Sequence, residues 1–458
     1  MPETASRAGR PPVSNEAEQM LKTEFRAGCP AFSAVADPPE SALLDWYSRN
    51  KRDLPWRRDT DPYHVWVSEI MLQQTRAEAV REYYQRFMSR LPDIPALAAA
   101  DEETCLKLWE GLGYYSRVRN LRKAAVCIMQ DFGGTMPSTK KSLLTLPGIG
   151  EYTASALASI SFGERTPAVD GNLLRVFSRM THYAEDIKKP AARKAAESWY
   201  LGIMTDRSPG NFNQALMDLG AGVCIPKGEP ACLSDPAACP WSCWCLSCMA
   251  GDPQEYPKTA PKKSRRVEDR TVFLIQYGGQ IALRKRPSRG LLAGLWEFPN
   301  TIGRLNREEA LHYAESLGFR PLQIRKLPAA KHVFSHIEWY MTGYRILADE
   351  WAPLPQSPSS LSAANDHNFS GNADIHHPVA CDNADTTDTS NILVPGVSDN
   401  SGVREKSKKT SAAVAEESET PENSSASGII LADAAEVRDH YSIPSAFRAY
   451  KEKIIIDR

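Results

Sequence analysis

Apolar side chains in the first half of the chain recur at helical spacing. Val80, Tyr84, Phe87, Met88 and Leu91 fall at i, i+4, i+7, i+8 and i+11, and Leu121, Ala125 and Ile128 form a second stripe. Strand-like alternation is scarce here, so residues 38–250 predict an all-α domain. Beyond Thr271 the period changes. TVFLIQY (271–277), a Gly-Gly turn and QIALRKR (280–286) predict a β-hairpin. A helix is expected at about Arg307–Leu317, a strand at HIEWYMTGYRIL (336–347) and a short closing helix at SIPSAFRAYKEK (442–453). Residues 271–458 therefore predict an α+β module.

Three segments lack either period. Residues 1–37 are rich in Pro, Ala, Ser and Glu, and about 352–427 in Ser, Asn, Asp, Thr and Ala. Such compositions bury too little apolar surface to fold, so a disordered arm and a disordered insertion are expected. Cys381 and the His376–His377 pair fall in that insertion and are read as incidental. Residues 251–270 are Pro-rich and basic, through Lys258, Lys262, Lys263, Arg265, Arg266 and Arg270, and are expected to be an exposed linker, the alternative to a plain solvated tether being a segment positioned along a phosphate backbone.

At 458 residues the chain exceeds what one core usually supports, which agrees with two domains. The formal net charge is −1, so a nucleic-acid face has to come from local arrangement and not from the total. No stretch is apolar and long enough to span a bilayer and no signal peptide is visible, so an intracellular protein is expected. Six of the ten cysteines lie between Cys224 and Cys248. In a reducing compartment such a cluster indicates an iron–sulfur or zinc site before disulfides.

Candidate chemistry sits in three motifs. LPGIGEYTASALASI (146–160) places Gly148 and Gly150 in a tight turn ahead of a new helix, whose unpaired N–H groups and positive dipole end suit a phosphate. The plainer alternative is an ordinary turn between helices. In TPAVDGNLLRV (166–176), Asp170 precedes a helix and can be its N-cap or a catalytic carboxylate. In VWVSEIMLQQT (65–75), Glu69 stands among apolar neighbours. Desolvation there raises a carboxyl's pKa and lets it donate a proton near neutral pH; the alternative is a surface position on an amphipathic helix. One proton-donating carboxyl and one lasting anion are what cleavage of an N-glycosidic bond needs.

LPWR (54–57), VWVSEIMLQQT, WEGLGYYSRVRNL (109–121), LPGIGEYTA, VDGNLLRV and FNQALMDLGAGVC (212–224) follow one another as they do in adenine DNA glycosylases of the MutY type. The chain resembles that family, within the helix-hairpin-helix glycosylase superfamily, over nearly all of residues 40–260. The resemblance implies excision of adenine opposite 8-oxoguanine or guanine by a monomeric enzyme on double-stranded DNA, in a bacterial cytoplasm or nucleoid. It implies Glu69 as the acid protonating adenine at N7. Asp170 would stabilise the oxocarbenium-like sugar, electrostatically or by transient covalent attack, with Tyr152 and Asn172 in support. Leu54, Trp56, Arg57, Gln214 and Met217 would line the adenine pocket, although Trp56 and Met217 also suit plain core packing. Gln74 and Tyr114 would enter the duplex near the opposite base. Relatives that also cut the backbone carry a Lys where Tyr152 stands. A phenol forms no Schiff base, so the reaction is expected to stop at an abasic site.

The family holds a 4Fe-4S cluster through C-x6-C-x2-C-x5-C. Here Cys224, Cys232, Cys239 and Cys245 are separated by seven, six and five residues. They are the expected ligands, with Cys243 the main rival and Cys248 a further one. GLLAGLWEFP (290–299) and KHVFSHIEW (331–339) resemble the family's Nudix-like lesion-recognition domain, with Phe334, Ser335 and His336 as the loop that probes the oxidised guanine. On spacing alone that trio is a strand start with a buried Phe. A working Nudix hydrolase needs clustered acids before the last glycine of its box. Upstream of Gly318 stand Leu311, His312, Glu315 and Ser316, so the module is expected to read and not to hydrolyse.

Overall fold

The computed structural model describes residues 39–261, 264–352 and 428–455. The expected arm, Cys381, the His376–His377 pair and all but one residue of the expected insertion lie outside the described residues. The chain forms two compact units that divide between Lys263 and Ser264. Among the described residues, no helix is long and apolar enough to cross a membrane.

The first unit is helical: α1 (Pro39–Asn50), α2 (Pro62–Leu72), α3 (Ala77–Arg90), α4 (Ile94–Ala99), α5 (Glu102–Leu108), α6 (Ser116–Asp131), α7 (Lys140–Leu143), α8 (Glu151–Phe162), α9 (Gly171–Met180), α10 (Pro190–Ile203) and α11 (Pro209–Gly222). Side-chain caps start several of them. Asp61, Asp93, Asp101 and Asp170 each accept a first-turn backbone N–H, meeting donors that a helix start leaves unpaired. The α3 stripe is buried at Val80, Tyr84, Phe87 and Leu91. One core gathers Leu43, Val169, Leu173, Phe177, Tyr200, Phe212 and Leu216 from α1, α9, α10 and α11 and the turns between them. Helices α2, α8 and α9 are buried around most of their circumference: no residue is exposed from Val65 to Met71, Thr153 to Ser159 or Leu173 to Met180, and Glu69 is among the buried ones.

Between α7 and α8 the chain turns at Leu146–Gly150. Gly148 has φ +75°, and a Cβ there would stand 2.6 Å from that of Asn120, so both its conformation and its clearance require glycine. Gly150 caps α8 without a side-chain hydrogen bond, and nothing lies within 4 Å of where its Cβ would be.

The second unit is a mixed sheet. The strands are β1 (Arg266–Tyr277), β2 (Gln280–Lys285), β3 (Trp296–Glu297), β4 (Asn300–Ile302), β5 (Phe319–Val333), β6 (Ile337–Trp351) and β7 (Ile429–Ala432). The main order is β3-β2-β1-β6-β5, with β4 on β1 and β7 on β2. The Gly278–Gly279 turn has φ +56° and +80° and joins β1 to β2. β1 and β6 run parallel, and β6 pairs antiparallel with β5. Phe298, Trp339, Phe447 and Tyr450 fill one face, and Phe273, Ala310, Ala314 and Ile346 the other. Two expectations need adjusting. Residues 266–270, read as linker, already belong to β1, because they pair along β6 from Ile337 to Met341. β5 was not expected as a strand, since Pro321 and Pro328 interrupt it; it lies at the sheet's edge, with register shifts beside both prolines.

Candidate active site

Glu69, within α2, and Asp170, the N-cap of α9, line one hollow of about 450 Å³. Leu54, Trp56, Arg57, Tyr152, Asn172, Gln214 and Met217 line it as well. That volume is in the range of small-ligand pockets. Trp56 is 4% exposed and stacks edge-on with Tyr84 at 5.4 Å, so it belongs to the core and to the hollow's wall together. A second depression, of about 520 Å³, continues from Glu69 and Asp170 to Gln74, Gly150, Gly171 and Arg193.

Glu69 is 5% exposed, and the Tyr152 hydroxyl donates to its Oε2 at 2.6 Å. Burial pushes its carboxyl up; the Tyr152 hydrogen bond and the Arg57 charge act the other way. Asp170 is both cap and site residue. Its Oδ1 accepts the Leu173 N–H at 2.8 Å, while its Oδ2 accepts the Asn172 amide at 2.7 Å. Burial raises its carboxyl too, against the Leu173 and Asn172 hydrogen bonds and the Arg175 charge. The contrast between the two carboxyls is therefore in their donors. Glu69 faces one phenol, whereas Asp170 faces an amide and a helix N-terminus, which favour the anion.

Arg57 is held by an acid that sequence reasoning missed. Asp218 is buried; it accepts Arg57 Nη1 at 2.7 Å, Arg52 Nε at 2.7 Å and the Arg52 N–H at 3.2 Å. Asp218 follows Gln214 by one helical turn, so the same face of α11 carries the pocket and its anchor. Tyr47 donates to Gln214 Oε1 at 3.2 Å. Arg175 was also missed. It donates to Asn172 Oδ1 at 2.9 Å, to the Gly220 carbonyl at 2.7 Å and to the Cys224 carbonyl at 2.8 Å.

Cys224, Cys232, Cys239 and Cys245 line one small cavity with Arg179 and Trp241; Cys243 and Cys248 are not among the residues around it. Arg179 Nη1 lies 3.1 Å from Cys224 Sγ. Among the described residues, no three Cys, His, Asp or Glu side chains converge tightly enough for a single metal ion.

Gln74 and Tyr114 are exposed and have φ +58° and +48°. Tyr114 and Gly148 line neither depression. In the second unit, Phe334 leans on Trp339 with ring centroids 4.8 Å apart. Its N–H donates to the Ile337 carbonyl at 2.8 Å, and Ser335 and His336 stand exposed in that turn.

The family model for HhH-GPD superfamily base excision DNA repair proteins matches residues 67–200, and a NUDIX domain model matches residues 271–373. The mouse adenine DNA glycosylase (Mus musculus) is 35% identical over 390 residues, which cover 71% of this chain and 74% of that one. The chain belongs to the adenine DNA glycosylase family. The human relative (Homo sapiens) is 35% identical over 380 residues, 69% of this chain and 68% of its own. The adenine DNA glycosylase of Buchnera aphidicola subsp. Baizongia pistaciae is 32% identical over 312 residues, 67% of this chain and 86% of its own. The superfamily acts in base excision repair, and the hollow presents two carboxyls, Glu69 buried and Asp170 half-buried.

Proposed function

We propose that this enzyme removes adenine paired with 8-oxoguanine or guanine and leaves an abasic site, acting as a monomer on duplex DNA. The observation that carries the reading is the shared hollow: Glu69 and Asp170 stand on one cavity of a size that takes a flipped base. Glu69, desolvated, holds a proton and delivers it to N7 of adenine as the C1′–N9 bond breaks, so the base leaves neutral. Asp170 stays ionised against the positive charge developing on the sugar, oriented by Asn172, and water completes the hydrolysis at C1′. Tyr152 holds Glu69 in place and supplies no amine, so no Schiff base forms. Leu54, Trp56, Arg57, Gln214 and Met217 bound the adenine.

The hairpin at Gly148 and Gly150 receives a backbone phosphate. The lack of a side-chain cap on α8 supports this, since its first N–H groups remain available. Gln74 and Tyr114 enter the duplex, and their exposure and left-handed backbone support that role. Phe334, Ser335 and His336 read the opposite base; the Ser335 hydroxyl both donates and accepts.

Cys224, Cys232, Cys239 and Cys245 would hold a 4Fe-4S cluster. Their placement around one cavity fits four thiolate ligands. Bound there, the cluster would tie residues 224–245 into a fixed loop, and no step of the bond cleavage is routed through it.

The test is single-turnover release of adenine from duplexes with 8-oxoguanine, guanine, cytosine or thymine opposite. Release is expected with the first two alone. Glu69→Gln is expected to bind the same DNA while losing roughly a thousandfold or more in rate. Full activity in that variant, or a borohydride-trapped adduct of the native protein, contradicts the scheme.

A further inference from the structure

The side chain of Arg117, at the start of α6, donates to five backbone carbonyls. It is 9% exposed. Its Nη1 donates to the carbonyls of Ile70, Met71 and Gln73 at 2.8, 3.0 and 2.7 Å. Its Nη2 donates to those of Leu112 and Gly113 at 3.3 and 3.0 Å. The first three are carbonyls that the end of α2 leaves without helical partners, where the dipole favours a cation. The other two belong to the turn that leads into α6. Its guanidinium carbon lies 5.3 Å from the Trp109 ring centroid and 5.6 Å from that of Tyr114. Burial pushes the guanidinium down to about 10, so it remains charged at neutral pH, and no carboxylate among the described residues pairs with it.

The two groups of carbonyls meet the chain at particular places. The Gln73 carbonyl belongs to the peptide unit entering Gln74, and the Gly113 carbonyl to the one entering Tyr114. Both following residues are in the left-handed region, which non-glycine side chains seldom adopt and which costs energy unless the surroundings impose it. One planar guanidinium thus fixes the peptide plane ahead of each strained residue and sets the distance between them. Lys offers a point charge with no fork and cannot span both turns in this way.

We propose that Arg117 is a positioning residue that locks Gln74 and Tyr114 into a single rigid two-pronged wedge, so that both enter the duplex together when adenine is extruded. The inference rests on the assignment of Gln74 and Tyr114 to the duplex. Flipping costs stacking and pairing energy, and a preformed wedge meets that cost without first ordering two loops.

The test is a mutant cycle on the full-length protein, read by the fluorescence of 2-aminopurine placed at the adenine position opposite 8-oxoguanine. Binding to undamaged duplex and thermal melting are followed alongside. Arg117→Lys and Arg117→Met are expected to cut the flipped-state signal and the single-turnover rate roughly tenfold or more, with affinity for undamaged duplex within about twofold. The decisive comparison is with Gln74→Ala/Tyr114→Ala. If Arg117 works through the wedge, adding Arg117→Lys to that double variant lowers the flipping signal no further. A loss of equal size in both backgrounds means that Arg117 only supports the fold, and overturns the proposal. If Gln74→Ala/Tyr114→Ala itself flips adenine normally, the duplex-entry assignment fails, and the inference with it. Should Arg117→Met melt below the assay temperature, Arg117→Lys and Arg117→Gln, which keep a donor on the stem, carry the same comparison.

Discussion

Glu69 is 5% exposed at the wall of the hollow, which strips most of the water from its carboxyl, and the acid role proposed for it follows from that. Its pKa is raised by burial, so the folded protein binds this proton more tightly than the unfolded chain does. The stability it contributes is fully present below the ordinary carboxylate range and is lost as pH rises through the folded value. Under the proposed scheme excision follows the same direction, because only the protonated form can donate. The Tyr152 hydroxyl stabilises the ionised form. Tyr152→Phe is therefore expected to move the alkaline limb of the single-turnover rate profile to higher pH, and a shift to lower pH would refute the acid assignment. Sequence reasoning reached Glu69 because its apolar neighbours are adjacent along the chain. It missed Asp218, Arg175 and Arg117, since each owes its role to oxygens or cations on another segment: Arg52 and Arg57 for the first, Gly220 and Cys224 for the second, the end of α2 for the third. No local window contains those partners.

At the start of α9 one carboxyl carries an observed role, the cap, and a proposed one, stabilising the sugar, and the two can be separated. Asp170 caps the helix with one oxygen and presents the other to the hollow. Asn caps about as well as Asp, so Asp170→Asn is expected to hold its melting temperature while excision falls roughly a thousandfold. Asp170→Ala is expected to lose the activity and about 1 kcal/mol of stability besides. Equal melting of both variants would mean that the cap is not what secures α9. The amphipathic helices were legible for a plain reason: a stripe such as Val80, Tyr84, Phe87 and Leu91 faces one core and repeats at the helical period. Strand β5 was not, because its exposed edge puts few apolar residues on either face and its prolines read as breaks. The hairpin glycines were legible in kind, but the close approach of Asn120 behind Gly148 depends on α6, some thirty residues earlier.

The chain as a whole places both carboxyls of the proposed chemistry in one compact unit and the proposed lesion-reading turn in another, with the division after Lys263. Both carboxyls and all four expected cysteine ligands precede that point. Residues 1–263 alone are therefore expected to fold with iron and to release adenine opposite guanine, while losing the preference for 8-oxoguanine. Retained preference in that fragment would assign recognition to the helical unit. The second unit carries one further consequence, in β5. Its fifteen residues pair on one side only among the described residues, and such a margin ordinarily invites another molecule to lengthen the ladder. Pro321 and Pro328 offer no N–H there, and the slips in register beside them bend the margin out of line. The same two prolines that hid the strand from a reader of the sequence thereby guard crowded copies of the protein against stitching together into fibres.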